Sequence, residues 1–61
     1  MEVVDANIKT TSILKNYDLL NCVVEGIFED CLFVGTEISN SQLTKSQLQN
    51  SDAVSYTHLT L

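Results

Sequence analysis

Proton transfer, nucleophilic attack and metal ligation would fall in this 61-residue chain to one histidine, two cysteines and a few carboxylates. His58 is the only histidine, so any His-assisted nucleophile or His-containing metal set must use it. No cysteine or carboxylate stands close to it in sequence. Cys22 and Cys31 are separated by eight residues and no second pair follows, unlike the short paired spacings of zinc ribbons. Glu25, Glu29, Asp30 and Glu37 form an acidic stretch. Two carboxylates share acid and base work only where a pocket drives their pKa values apart. Without such a pocket they are a solvated face. A small metal-binding or enzymatic domain built on Cys22, Cys31, Glu25 and His58 is therefore one reading. The favoured expectation is a non-enzymatic protein with no catalytic, cofactor-binding or metal-ligating residues.

Composition bounds the rest. A chain this short makes one small domain at most, and such domains need a regular architecture, a crosslink or a partner to be stable. Hydrophobic residues make up 44% and the net charge is −5, with Lys9, Lys15 and Lys45 the only basic side chains. That charge argues against nucleic-acid binding, which relies on cations to neutralise phosphates. No small-molecule substrate is evident. The opening "MEVVDANIKT" is acidic and lacks the apolar core of a signal peptide, and no apolar run approaches the length of a membrane span. A cytoplasmic, reducing location is the expectation.

The strongest signal is a five-residue period. Stepping by five from Val3 gives Ile8, Ile13, Asp18, Val23, Phe28, Phe33, Ile38, Leu43 and Leu48, apolar everywhere except Asp18. Two residues before these, from Ala6 onward, stand Thr11, Asn16, Asn21, Gly26, Cys31, Thr36, Ser41 and Ser46, all small or short and polar, and Ser51 continues the column. Helices and flat strands both scatter a period of five over different faces. The chain must turn a corner about every five residues. At Asp18 the expectation is a bulge within "KNYDLL" that brings Leu19 or Leu20 inward, in preference to a functional buried aspartate.

The stretch "NCVVEGIFEDCLFVGTEISNSQLTKSQLQN", residues 21–50, resembles the pentapeptide-repeat family in its inward apolar centre and the small residue two before it. It departs just before the centre, where the family favours Asp or Asn and this chain has Cys22, Ile27, Leu32, Glu37, Gln42 and Gln47. The resemblance implies an all-β fold: a right-handed, four-sided (quadrilateral) β-helix. Residues 21–52 would form a fragment of about two coils, preceded by an irregular or weak-repeat segment over residues 1–20. Each residue would then stack on the one twenty later. Ile8 would lie under Phe28 and Leu48, Ile13 under Phe33, and Val23 under Leu43. The small column would stack Thr11, Cys31 and Ser51, and separately Asn21 with Ser41. Some members of the family mimic DNA and bind DNA gyrase, so an acidic gyrase-binding fragment is a further reading. The chain is read as the N-terminal part of a longer repeat protein. Its end, "VSYTHLTL", resembles a translated transposase sequencing adapter, which marks residues 53–61 as a non-native tail.

In this register Cys31 points inward and Cys22 outward. Val24, Ile27, Leu32 and Val34 also point outward, on neighbouring sides of one coil, and form the candidate interface, since clustered exposed apolar side chains mark contact surfaces. The function expected is structural or protein-interacting, with a protein partner or a second copy docking there. A competing local reading caps a short helix at Ser39 or Ser41 and runs it to Gln49.

Overall fold

The computed structural model describes residues 1–59, and within them every regular element is a short β-strand. They are β1 (Glu2–Val4), β2 (Asn7–Lys15), β3 (Asp18–Leu20), β4 (Val23–Glu29), β5 (Leu32–Val34), β6 (Glu37–Ser39), β7 (Gln42–Thr44), β8 (Gln47–Gln49), β9 (Asp52–Val54) and β10 (Thr57–Leu59). Every pairing between them is parallel. Parallel neighbours distant in sequence, joined only by corners, make a β-solenoid of about four turns. The competing local helix does not form: its residues lie in β6, β7 and β8 and the corners between them.

The solenoid has three sides, not the four the family resemblance implies. The first side stacks β1, β3, β5 and β8. The second stacks the start of β2, the start of β4, β6 and β9. The third stacks the end of β2, the end of β4, β7 and β10. Leu32 therefore pairs with Gln47 and Glu37 with Asp52, a rung of fifteen residues where twenty was expected. A five-residue period sets the length of one side but not the number of sides; the turn at each corner sets that. A typical corner holds two residues. The first adopts a left-handed backbone, as at Asp5, Asn16, Asn21, Asp30, Gly35, Asn40, Lys45, Asn50 and Ser55. Asn, Asp and Gly predominate because they tolerate positive φ best. With this geometry each corner turns the chain through a third of a circle.

One corner explains Asp18. Between the second and third sides the first coil uses Thr10, Thr11 and Ser12, and the register shifts there between Lys9 and Ile13. The second coil passes the same corner with Gly26 alone, so β4 runs unbroken round the bend. The inward column is thus Val3, Ile8, Leu14, Leu19, Val24, Phe28, Phe33, Ile38, Leu43, Leu48. Leu19 is inside as expected, but the irregularity lies at residues 10–12 and at Gly26, not within "KNYDLL". Ile13 and Val23 instead point outward, 55% and 47% exposed. Gly26 is needed at its corner because a Cβ there would crowd the Thr10 methyl and carbonyl at 3.0 and 3.1 Å. Residues 1–20 belong to the same stacks as the rest, with the register irregularity at residues 10–12 inside them.

The core runs along the axis. Leu19, Val24, Phe28, Phe33, Ile38 and Leu43 are fully buried, and Phe28 meets Phe33 edge to face at 5.1 Å. That ring pair adds about 0.5–1.5 kcal/mol beyond its burial. The small corner residues supply a second, polar stack. Ser41 Oγ donates to Ser39 O at 2.8 Å and accepts the Gly26 N–H at 3.1 Å from the coil before. Ser46 does the same for Cys31, and Thr36 for Cys22. Each hydroxyl thus holds its own corner and ties it to the previous coil. Among the described residues no buried side-chain nitrogen or oxygen lacks a partner. The observed stacks are Cys22–Thr36–Ser51, Cys31–Ser46 and Gly26–Ser41, which replace the expected Thr11–Cys31–Ser51 and Asn21–Ser41. Among the described residues no helix is long and apolar enough to cross a membrane.

Candidate interaction face

In the three-residue strands β1, β3 and β5 to β9 the middle residue points inward and its two neighbours outward, as period-two alternation requires. The first side therefore presents two outward columns. One reads Glu2, Asp18, Leu32, Gln47; the other reads Val4, Leu20, Val34, Gln49. Val4, Leu20 and Val34 form an aliphatic ladder, with Leu32 beside its lower rung. Val4 is 50% exposed, and Leu20, Leu32 and Val34 are half-buried against their neighbours. Among the described residues the other two sides carry no comparable ladder. The second alternates Asn7, Val23, Glu37 and Asp52 in one column and Lys9, Glu25, Ser39 and Val54 in the other. On the third, Ile13 and Ile27 pair but give way to Gln42 and Thr57.

The expected interface is reshaped by this register. Leu32 and Val34 lie outward on the first side as expected. Ile27 lies outward too, but round the corner on the third side. Val24 is 1% exposed and belongs to the core, because the one-residue shift opened at residues 10–12 is still in force there. Val4 and Leu20 are the members that sequence reasoning missed. Their signal was available only after the shift had been located.

The groups suited to chemistry are dispersed. Cys22 and Cys31 are both free and both buried, at different corners, so Cys22 does not point outward. Burial pushes the Cys31 thiol above its ordinary range; nearby backbone groups oppose this and the Asp30 charge adds to it. Cys31 Sγ lies 3.4 Å from Glu29 O and 3.5 Å from Leu14 O, a protonated donor among carbonyls. Glu25, Glu29 and Glu37 sit on the second and third sides and Asp30 at a corner. His58 lies in the last coil, where its Nε2 is 3.1 Å from Ser46 O. Among the described residues no three His, Cys, Asp or Glu side chains gather as a metal site would require. A shallow recess opens beside Gly26, edged by Thr10, Thr11, Glu25 and Asn40, where the two unequal corners meet. The described part of the adapter-like tail forms β9 and β10 on the same stacks, and its last two residues, 60 and 61, lie outside the described residues.

No protein-family model matches the chain, and no curated protein matches it.

Proposed function

We propose that this chain is a non-enzymatic interaction module that binds a protein partner through the first side of its solenoid. The observation that carries the reading is the Val4–Leu20–Val34 ladder with Leu32 beside it. It is a contiguous aliphatic strip on a side whose inner strands, β3 and β5, are paired on both edges within the solenoid. Such a strip gains free energy on being covered, at about 25 cal/mol per Å² of apolar surface removed from water. The dispersal of Cys22, Cys31, Glu25 and His58 gives no comparable support to an enzyme or metal protein. The five-residue period supports kinship with pentapeptide-repeat proteins, and the three-sided coil sets this chain apart from their four-sided one.

A photo-crosslinking amino acid at position 34, compared with the same group at position 23 on the second side, tests the proposal in producing cells. Adducts of defined mass from position 34 and none from position 23 are the expected result. Equal labelling at both positions, or none at either, would remove it.

A further inference from the structure

The first side carries more than an apolar strip. In the column beside the ladder, Glu2 and Asp18 stack directly next to Val4 and Leu20, both acids exposed. No lysine lies among the outward residues of this side. Lys9 and Lys15 project from the second and third sides, and Lys45 stands at the corner leading into β8, at the opposite end of the stack. The first two coils thus set two carboxylates against the single Met1 ammonium, which donates to Asn16 O at 3.1 Å, so the first side is acidic there, aliphatic through the middle and amide-bearing at Gln47 and Gln49.

Four parallel strands about 4.8 Å apart, each about 10 Å long, make a narrow side that suits a single extended segment lying along the stack. A second copy would bring another net charge of −5 against this one.

Resting on the docking reading above, we propose that the occupant is a short aliphatic segment of another protein with lysine or arginine at one end. Its apolar residues lie over Leu20, Leu32 and Val34, and its basic end lies over Glu2 and Asp18. The charged pair sets the direction in which the segment lies, and burial of the aliphatic residues supplies the affinity.

Three peptides test this against the uniformly labelled full chain, by amide chemical-shift titration at low salt: Lys-Lys-Val-Ile-Val-amide, Glu-Glu-Val-Ile-Val-amide and Lys-Lys-Ser-Gly-Ser-amide. The basic aliphatic peptide is expected to shift the amides of Leu20, Leu32 and Val34. Its apparent affinity should exceed that of the acidic one by roughly five-fold, as two exposed ion pairs allow. The E2Q/D18N variant should erase that difference while leaving binding of the aliphatic residues intact. Equal binding of the acidic and basic aliphatic peptides at this side would overturn the charge assignment and leave the docking reading standing. Equal binding of the polar basic peptide would overturn the aliphatic part. The same shifts on concentrating the chain alone would make a second copy the occupant and overturn the proposal. No response to any peptide would remove the docking reading itself.

Discussion

At corner after corner one residue is held at positive φ, and its identity decides how much strain the corner carries. Lys45 sits at φ 52 with a full side chain, whereas Gly35 occupies the equivalent position at φ 57. A left-handed backbone costs an ordinary L-residue roughly 1–2 kcal/mol. Lys45→Gly is therefore expected to stabilise the fold by about 1 kcal/mol, part of the gain being lost to glycine's greater unfolded-state entropy. Gly35→Ala should destabilise it by at least that much, because the new Cβ would also run into Asn21 Oδ1. Urea unfolding of both variants checks the opposite signs. The buried hydroxyls make a second test. Ser41→Ala leaves the Gly26 N–H without its acceptor and should cost about 1–3 kcal/mol. Cys31 gives a pH dependence of known sign. Its folded thiol holds its proton beyond the point, near pH 8.5, at which the unfolded thiol releases it. Stability should be unaffected by this group below about pH 8 and fall as pH rises above that value. Cys31→Ser, which keeps a donor for the Glu29 carbonyl, should show a shallower alkaline decline.

Corners and strands differ in how they tolerate a change of length. The corner between the second and third sides already takes three residues in the first coil, one in the second and two, Asn40 and Ser41, in the third. Deleting Thr11 restores an ordinary two-residue corner and should leave the β spectrum and the thermal midpoint nearly unchanged. Deleting Gln42 removes a strand residue and would turn Leu43 toward solvent, since a one-residue slip reverses a strand's two faces; that variant should not fold cooperatively. The same corner shows where sequence reading succeeded and where it failed. From Phe28 to Leu48 the five-residue column is unbroken, and every inward residue there was legible. From Ile13 to Val23 the phase is displaced by one, and a strict period placed Ile13, Asp18 and Val23 in columns that belong to Leu14, Leu19 and Val24. The left-handed residues carried the missing signal. Asp5 to Asn16 is one residue longer than two repeats, and Asn21 to Asp30 is one shorter. For the interaction face, Leu32 and Val34 were legible because they follow the shift's end at Gly26. Val24 was misread because the one-residue shift is still in force there, and Val4 and Leu20 were missed because they stack toward Val34 in steps of sixteen and fourteen residues, which only that shift explains.

For the whole molecule, stability depends on coils covering one another. Phe33 is fully buried between Leu19 and Leu48 in its stack and meets Phe28 at its edge. Phe33→Ala should cost about 3–5 kcal/mol, comparable to all the stability a small domain of this length has. Loss of the cooperative thermal transition is the expected result. The number of sides could not be read from the sequence, because a five-residue unit is compatible with three corners or four and the turn angle is a backbone property. It is also the feature on which every other placement depends, including the aliphatic ladder of the first side. Inter-strand nuclear Overhauser contacts between backbone protons test it most directly. A three-sided coil predicts contacts between residues fifteen apart, Phe28 with Leu43 and Phe33 with Leu48. Contacts between residues twenty apart, Phe28 with Leu48 and Phe33 with Ala53, would contradict it.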